Sequence, residues 1–152
     1  MHYEHSTTIP TSRKRVWAFL IDVPRVSQCV PGVRDVAHVS GTKYTGTLEL
    51  DLGMISLALG GDFELDHPDE SSGQLTMHAQ ANDKKIPGHV SATLAMQLQE
   101  LAPEQVQLTI STDIDMLGRL GDFGRPFVKK RADQMMAEFT ENLRASLTSA
   151  SA

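Results

Sequence analysis

The feature that most constrains this chain is a change of hydrophobic period. From Val33 to Met116 apolar and polar residues alternate one by one; after Gly118 the apolar residues recur at steps of three and four. The first pattern makes strands with one dry and one wet face, and the second makes an amphipathic helix. Leu48, Leu50 and Leu52 alternate with Thr47, Glu49 and Asp51, and Ile55, Leu57 and Leu59 with Ser56 and Ala58. Phe63 and Leu65 alternate with Asp62, Glu64 and Asp66, and Leu75, Met77 and Ala79 with Thr76, His78 and Gln80. The last two runs are Val90, Ala92, Leu94, Met96, Leu98 and Val106, Leu108, Ile110, Thr112, Ile114, Met116. Turn residues punctuate them at Ser40-Gly41, Gly53, His67-Pro68-Asp69, Asn82-Asp83 with Pro87-Gly88, and Ala102-Pro103-Glu104. Gly60-Gly61 falls inside a strand, where a glycine pair marks a bulge or a sharp bend.

Tyr3 to Ile9 reads as an earlier strand, ended by Pro10. Thr11 or Ser12 can cap a helix whose apolar face is Val16, Trp17, Phe19 and Leu20. Asp22 to Gly32 reads as a second short helix, with Pro24 in its first turn and Pro31-Gly32 at its end. Beyond Gly118 the helical stripe is Leu120, Phe123, Phe127, Met135, Met136, Phe139, Leu143 and Leu147, with a break expected near Gly121–Pro126. The expected fold is α+β: a curved antiparallel sheet of about seven strands gripping a long C-terminal helix, with two short helices after strand 1. Residues 1–147 form one domain and 148–152 a frayed tail.

The net charge of −5 argues against general nucleic-acid binding. Its distribution is uneven: residues 1–50 and 117–152 each carry a balance of +2, and residues 51–116 one of −9. The single cysteine, Cys29, permits no internal disulfide. No leader opens the chain and no apolar run approaches the roughly 20 residues of a membrane span. The expectation is a soluble cytoplasmic protein that meets a membrane, if at all, peripherally at its inner face. Aromatic residues make up only 5% while methionines number 7, so apolar surfaces should be mostly aliphatic and adaptable.

A helix laid across a strongly curved sheet leaves a gap that side chains do not always close. Periodicity alone allows either a solid core or a cavity there. Lined as a cavity, the gap draws on Leu48, Leu50, Leu57, Leu59, Met77, Leu94, Met96, Leu108, Ile110 and Thr112 from the strands. From the helix it draws on Leu120, Phe123, Phe127 and Met135. Thr112 or Tyr44 would orient a head group, and Gly118, Gly121 and Gly124 form an entrance hinge. Arg125, Lys129, Lys130 and Arg131 form a compact basic cluster, which reads either as a solvated helix face or as a surface for anionic lipid or an acidic partner.

Other chemistry finds little support. The six histidines lack the two-apart or four-apart pairing of a metal helix, and no metal site is expected. Asp113 and Asp115 share a strand face, but it is the wet one opposite Ile114 and Met116. Cys29 has no catalytic partner near it in sequence. The motif Gly118-x-x-Gly121-x-x-Gly124 lacks the Lys-Ser/Thr pair of a phosphate loop. No catalytic residue is expected.

Several segments together carry a resemblance. Trp17 and Phe19, Asp22, Cys29-Val-Pro-Gly32, Tyr44-Thr-Gly46, Gly53 and the Phe63 strand are similar to the CoxG family, named for the G subunit of carbon monoxide dehydrogenase. So is Gly118-Arg-Leu-Gly-Asp-Phe-Gly124 leading into Ala132, Phe139, Asn142 and Leu143. That family lies within the START/Bet v1-like, or helix-grip, superfamily. The resemblance implies a non-catalytic accessory to a molybdenum hydroxylase of the aerobic carbon monoxide dehydrogenase type. It further implies a non-covalently bound lipophilic partner, a respiratory quinone or another isoprenoid lipid, and a link to the membrane quinone pool. General lipid carriage and a cyclase-type enzyme on the same fold are the alternatives.

Overall fold

Alternation of dry and wet side chains builds a single antiparallel sheet in the computed structural model, which describes residues 1–53 and 55–149, side chains excepted at 123–126 and 149. The elements are β1 (His2–Ile9), α1 (Arg13–Leu20), α2 (Val23–Ser27), β2 (Val33–Ser40), β3 (Lys43–Asp51), β4 (Ser56–Asp69) and β5 (Gln74–Asp83). They continue with β6 (His89–Ala102), β7 (Gln105–Leu117) and α3 (Gly118–Ser149). The seven strands lie in the order β1-β7-β6-β5-β4-β3-β2, so only β1 pairs with a strand distant in sequence. This is the helix-grip arrangement expected from the change of period.

Local chemistry sets the boundaries. Ser12 caps α1, its hydroxyl accepting from the Arg15 N–H at 3.3 Å. Asp22 caps α2 in the same way through the Arg25 N–H at 3.4 Å, with Pro24 in the first turn. The second helix is shorter than expected: it ends at Ser27, and turns carry the chain on to Gly32. His67-Pro68-Asp69, read as a joint from sequence, instead forms a bulge within β4, because pairing resumes at Asp69 opposite Gln74. A bulge leaves one residue unpaired, which suits a proline with no N–H to give. The turn proper follows, where the Asp69 carboxylate accepts from the Ser71 N–H and hydroxyl at 3.1 and 2.6 Å and from the Ser72 hydroxyl at 3.0 Å.

The expected break in the last helix is absent, for α3 runs 32 residues without interruption. Leu120 and Val128 are buried on either side of the glycine- and proline-containing interval and hold it against the sheet. Its start is fixed by Gly118, whose φ of 72° lets β7 turn directly into helix. The Leu120 N–H then donates to the Pro87 carbonyl at 2.9 Å. The loop supplying that carbonyl is itself tied down, since the Asp83 carboxylate accepts from the N–H groups of Ala58, Lys85 and Ile86 at 2.8, 2.7 and 3.0 Å.

The backbone of α3 approaches chiefly β7, β1 and β6, the half of the sheet on which it rests. The buried apolar residues divide accordingly into two clusters. The larger joins Ile9, Trp17, Phe19, Leu98, Val106, Leu108, Leu143 and Leu147 at the C-terminal end of α3. The smaller joins Leu52, Leu57, Leu59, Met116, Leu120 and Val128 at its N-terminal end.

Two outcomes follow. A methyl group added at Gly61 would overlap the Gln80 carbonyl on β5, whereas one at Gly60 meets only Thr47 Oγ1 at 3.9 Å. Gly61→Ala is therefore expected to cost about 2 kcal/mol or more, and Gly60→Ala to change stability by less than about 0.5 kcal/mol, compared by thermal unfolding. The hydrogen bond from Ala58, ahead of those from Lys85 and Ile86, holds the Asp83 carboxyl below its ordinary value of 3.8. A lowered carboxylate contributes stability above that value and loses it as pH falls through the folded one. Asp83→Asn should thus cost about 0.5–1 kcal/mol at neutral pH, a difference that shrinks in acid when both are unfolded with urea.

Candidate functional site

Between the two clusters, under α3, lies a cavity of about 350 Å³. Its position follows from the size of the side chains that face it. In register across the middle of the sheet, Gly46 stands opposite Gly61, Gly61 opposite Ala81, and Ala79 opposite Ala92. All five line the cavity. At either end of the same strands large residues meet the helix, but here the inward positions carry a methyl group or nothing, and the floor drops away. The next row, Leu65–Met77–Leu94–Thr112–Tyr3, forms one wall. Val128, Ala132, Met135, Met136 and Phe139 of α3 make the roof, and Val23, Val26 and Val30 in and after α2 close one side.

Of the residues expected from sequence, Leu48, Leu50, Leu59, Met77, Leu94, Met96, Ile110, Thr112 and Met135 line this space. Leu57, Leu108 and Leu120 do not: at 2, 0 and 0% exposure they are packed into the clusters at the two ends. Phe127 is 36% exposed and is not among the lining residues. Tyr44 also stays outside, stacked on Phe63 with ring centroids 5.6 Å apart. The side chains of Phe123 and Arg125, and the Gly124 position, lie outside the described residues. Gly118 sits at the β7–α3 junction and Gly121 is buried within the helix. The basic cluster separates: Lys129 and Lys130 are exposed, while Arg131 is half-buried and lines the cavity.

Sequence reasoning missed the small residues of the floor, the valines of α2 and the role of Arg131. The signal for the floor was present, since Gly46, Gly61, Ala79, Ala81 and Ala92 all hold the inward phase of their strands. The five-residue α2 is too short to show a period.

The walls are overwhelmingly apolar; Tyr3, Thr112 and Arg131 are the polar residues toward β1 and β7, while half-buried Ser27 and Thr47 and exposed Asp62 and Gln80 touch the lining elsewhere. Thr112 is 5% exposed, and its hydroxyl has no partner among the described residues. Tyr3, directly opposite it, has its phenol pushed up by burial and then by the nearby Asp133 carboxylate of α3. Arg131 Nε is buried and has no hydrogen-bond partner among the described residues. The other candidates stand apart from the cavity. His2 contacts Asp113 at 2.7 Å and His78 contacts Asp66 at 3.3 Å, all on the wet face. Cys29 is buried with Sγ 3.8 Å from Ser146 Oγ. Among the described residues no three His, Cys, Asp or Glu side chains converge as a metal site would require, and no helix is long and apolar enough to cross a membrane.

Sheet and gripping helix define a START/Bet v1-like fold. The family model for CoxG, the G subunit of carbon monoxide dehydrogenase, matches residues 6–148, and the chain belongs to that family. No curated protein matches the sequence. Among solved structures, a conserved protein from Geobacillus kaustophilus superposes with a TM-score of 0.87 at 17% identity, over 99% of this chain and 97% of that one. The Zhui aromatase/cyclase from Streptomyces sp. R1128 gives 0.71 at 16%, over 97% and 93%. A START superfamily protein from Mycobacterium smegmatis gives 0.70 at 14%, over 98% of each chain. At these identities the likeness is one of fold.

The cavity can be checked without a ligand. Ala92→Leu adds atoms into empty space and should shift stability by less than about 1 kcal/mol, where a filled core would lose about 1–3 kcal/mol to overpacking. Leu108→Ala, in the packed end, should cost about 2–5 kcal/mol. Urea denaturation of the two variants distinguishes a void from a solid interior.

Proposed function

We propose that this protein is a non-catalytic carrier that holds a respiratory quinone in the cavity under α3 and serves a molybdenum hydroxylase of the aerobic carbon monoxide dehydrogenase type. Membership of the CoxG family supports the accessory role. The observation that carries the ligand reading is an apolar void floored by glycine and alanine in a chain otherwise well packed at both ends. Burying a ring and part of an isoprenoid tail there gains roughly 25 cal/mol for each Å² of apolar surface removed from water. At about 350 Å³ the space is at the small end of ligand pockets. A long tail would therefore extend past the cavity, and the methionines Met77, Met96, Met135 and Met136 would adapt to it. The exposed Lys129 and Lys130 near the start of α3 offer a peripheral contact with anionic lipid at the inner face of the cell membrane, where the quinone pool lies.

A cyclase would need polar groups converging on a substrate. The polar residues at this cavity are few, spread over several elements and set in a largely apolar lining, which favours holding a molecule over transforming it. Gentle solvent extraction of the purified protein followed by mass spectrometry decides the matter. A quinone is expected, and Ala92→Leu should retain at least tenfold less of it. Recovery of phospholipid alone would replace this reading with general lipid carriage, and an empty extract that quinone cannot refill would leave only an adaptor.

A further inference from the structure

We infer that the cavity orients its guest by a hydrogen-bond-acceptor oxygen, a carbonyl or carboxylate, held at the β1–β7 side by Arg131, Thr112 and Tyr3. The inference rests on the ligand-binding reading above and adds to it which end of the guest goes where, and why.

Burying a donor without a partner costs free energy that a fold has no reason to carry for its own sake. Arg131 carries such a donor. Among the described residues its buried Nε has no partner, and the one hydrogen bond its guanidinium makes is at the long limit, 3.5 Å to Gln134 Oε1. No carboxylate within ion-pair distance of it occurs among the described residues. Lys129 and Lys130, its two predecessors on α3, point to solvent, so helix phase alone brings Arg131 inward.

Two further donors share its side of the cavity. Thr112 is buried, lines the cavity and spends its hydroxyl on no described partner. Tyr3 is paired directly across from it on β1, which by sheet geometry brings their side chains to within about 5.5 Å at Cβ. Tyr3 feels the charge of Asp133, two residues beyond Arg131, so the start of β1 lies close to this turn of α3. The phenol's own contact is an exposed one, to Met1 Sδ at 3.4 Å. A guanidinium only donates, and threonine and tyrosine hydroxyls can donate with it. Their common complement is an oxygen acceptor. The other polar residues at the lining, Ser27, Thr47, Asp62 and Gln80, bring no cation, so an acceptor is best met at Arg131 and the apolar part of the guest lies toward Leu48, Leu94 and Phe63.

The test uses the full chain and two probes: a short-tailed 1,4-naphthoquinone and the naphthalene hydrocarbon of the same tail and no oxygen. Both are titrated against the protein, Arg131→Met and Thr112→Val by fluorescence quenching of Trp17. The quinone should bind the unaltered protein at least tenfold more tightly than the hydrocarbon. Arg131→Met should remove most of that advantage, Thr112→Val part of it, and neither should change hydrocarbon binding. Arg131→Met should also melt at the same or a higher temperature, because it deletes a buried unpaired donor. Equal binding of quinone and hydrocarbon, or a quinone affinity indifferent to Arg131→Met, overturns the orientation while leaving the cavity as a ligand site. Failure of both probes to bind overturns the ligand reading and the orientation with it.

Discussion

Everything in this molecule depends on how one long helix is held at both ends over half a sheet. At its start α3 is pinned by the Leu120 N–H on the Pro87 carbonyl and by Leu120 and Val128 among Leu52, Leu57 and Met116. Toward its end Phe139, Leu143 and Leu147 are packed with α1 and the far ends of β6 and β7. A helix fixed at two points is straight to a first approximation, and a sheet of seven twisted strands is not. The strands beyond β6 curl past the helix, and the space between is filled only where side chains are long enough. The small inward residues of β3 to β6 ensure that in the middle they are not.

Much of this was legible from the change of period, and the parts that were not share a cause. Alternation tells which face of a strand is dry, so it assigned Leu57, Leu59 and Leu108 to one interior without distinguishing them. What separates them is position along the strand relative to the ends of α3, and periodicity holds no information about that. The same blindness placed Arg131 with Lys129 and Lys130, since adjacency in sequence is not adjacency on a helix, where each residue turns about 100° from the last. Counting from Met135 back by four would have put residue 131 on the roof. His67-Pro68-Asp69 misled for a different reason: its composition is that of a turn, and a bulge uses the same residue types.

The void has an energetic cost, because wall atoms facing empty space lose dispersion contacts. Two features limit it. Part of the lining consists of half-buried residues such as Leu48, Leu50, Met77 and Leu94, and its buried members, among them Leu59, Ile110, Val128 and Phe139, are also packed into the clusters at either end. The floor is made of residues that had little contact to lose. Stability and binding are thus carried by partly different side chains, with residues such as Val128 and Phe139 serving both. The sheet hydrogen bonds and the two clusters maintain the frame, and the cavity residues are free to answer to a guest.

That separation explains why the frame recurs with so little of the sequence retained. Solved structures with the same architecture share only 10 to 17% of their residues with this chain. A frame needs apolar residues of about the right size in the right phase, which many sequences satisfy. A recognition site needs particular groups. Shape therefore says that there is room for a guest, and only the groups exposed to the void bear on what its chemistry would be. In this chain those groups are few, and among the described residues the cation has no carboxylate within ion-pair distance. Selection for stability alone tends to remove a buried donor of that kind, since an apolar residue of similar volume would pack as well without the desolvation penalty. Its presence in an otherwise greasy wall points outside the chain for its partner.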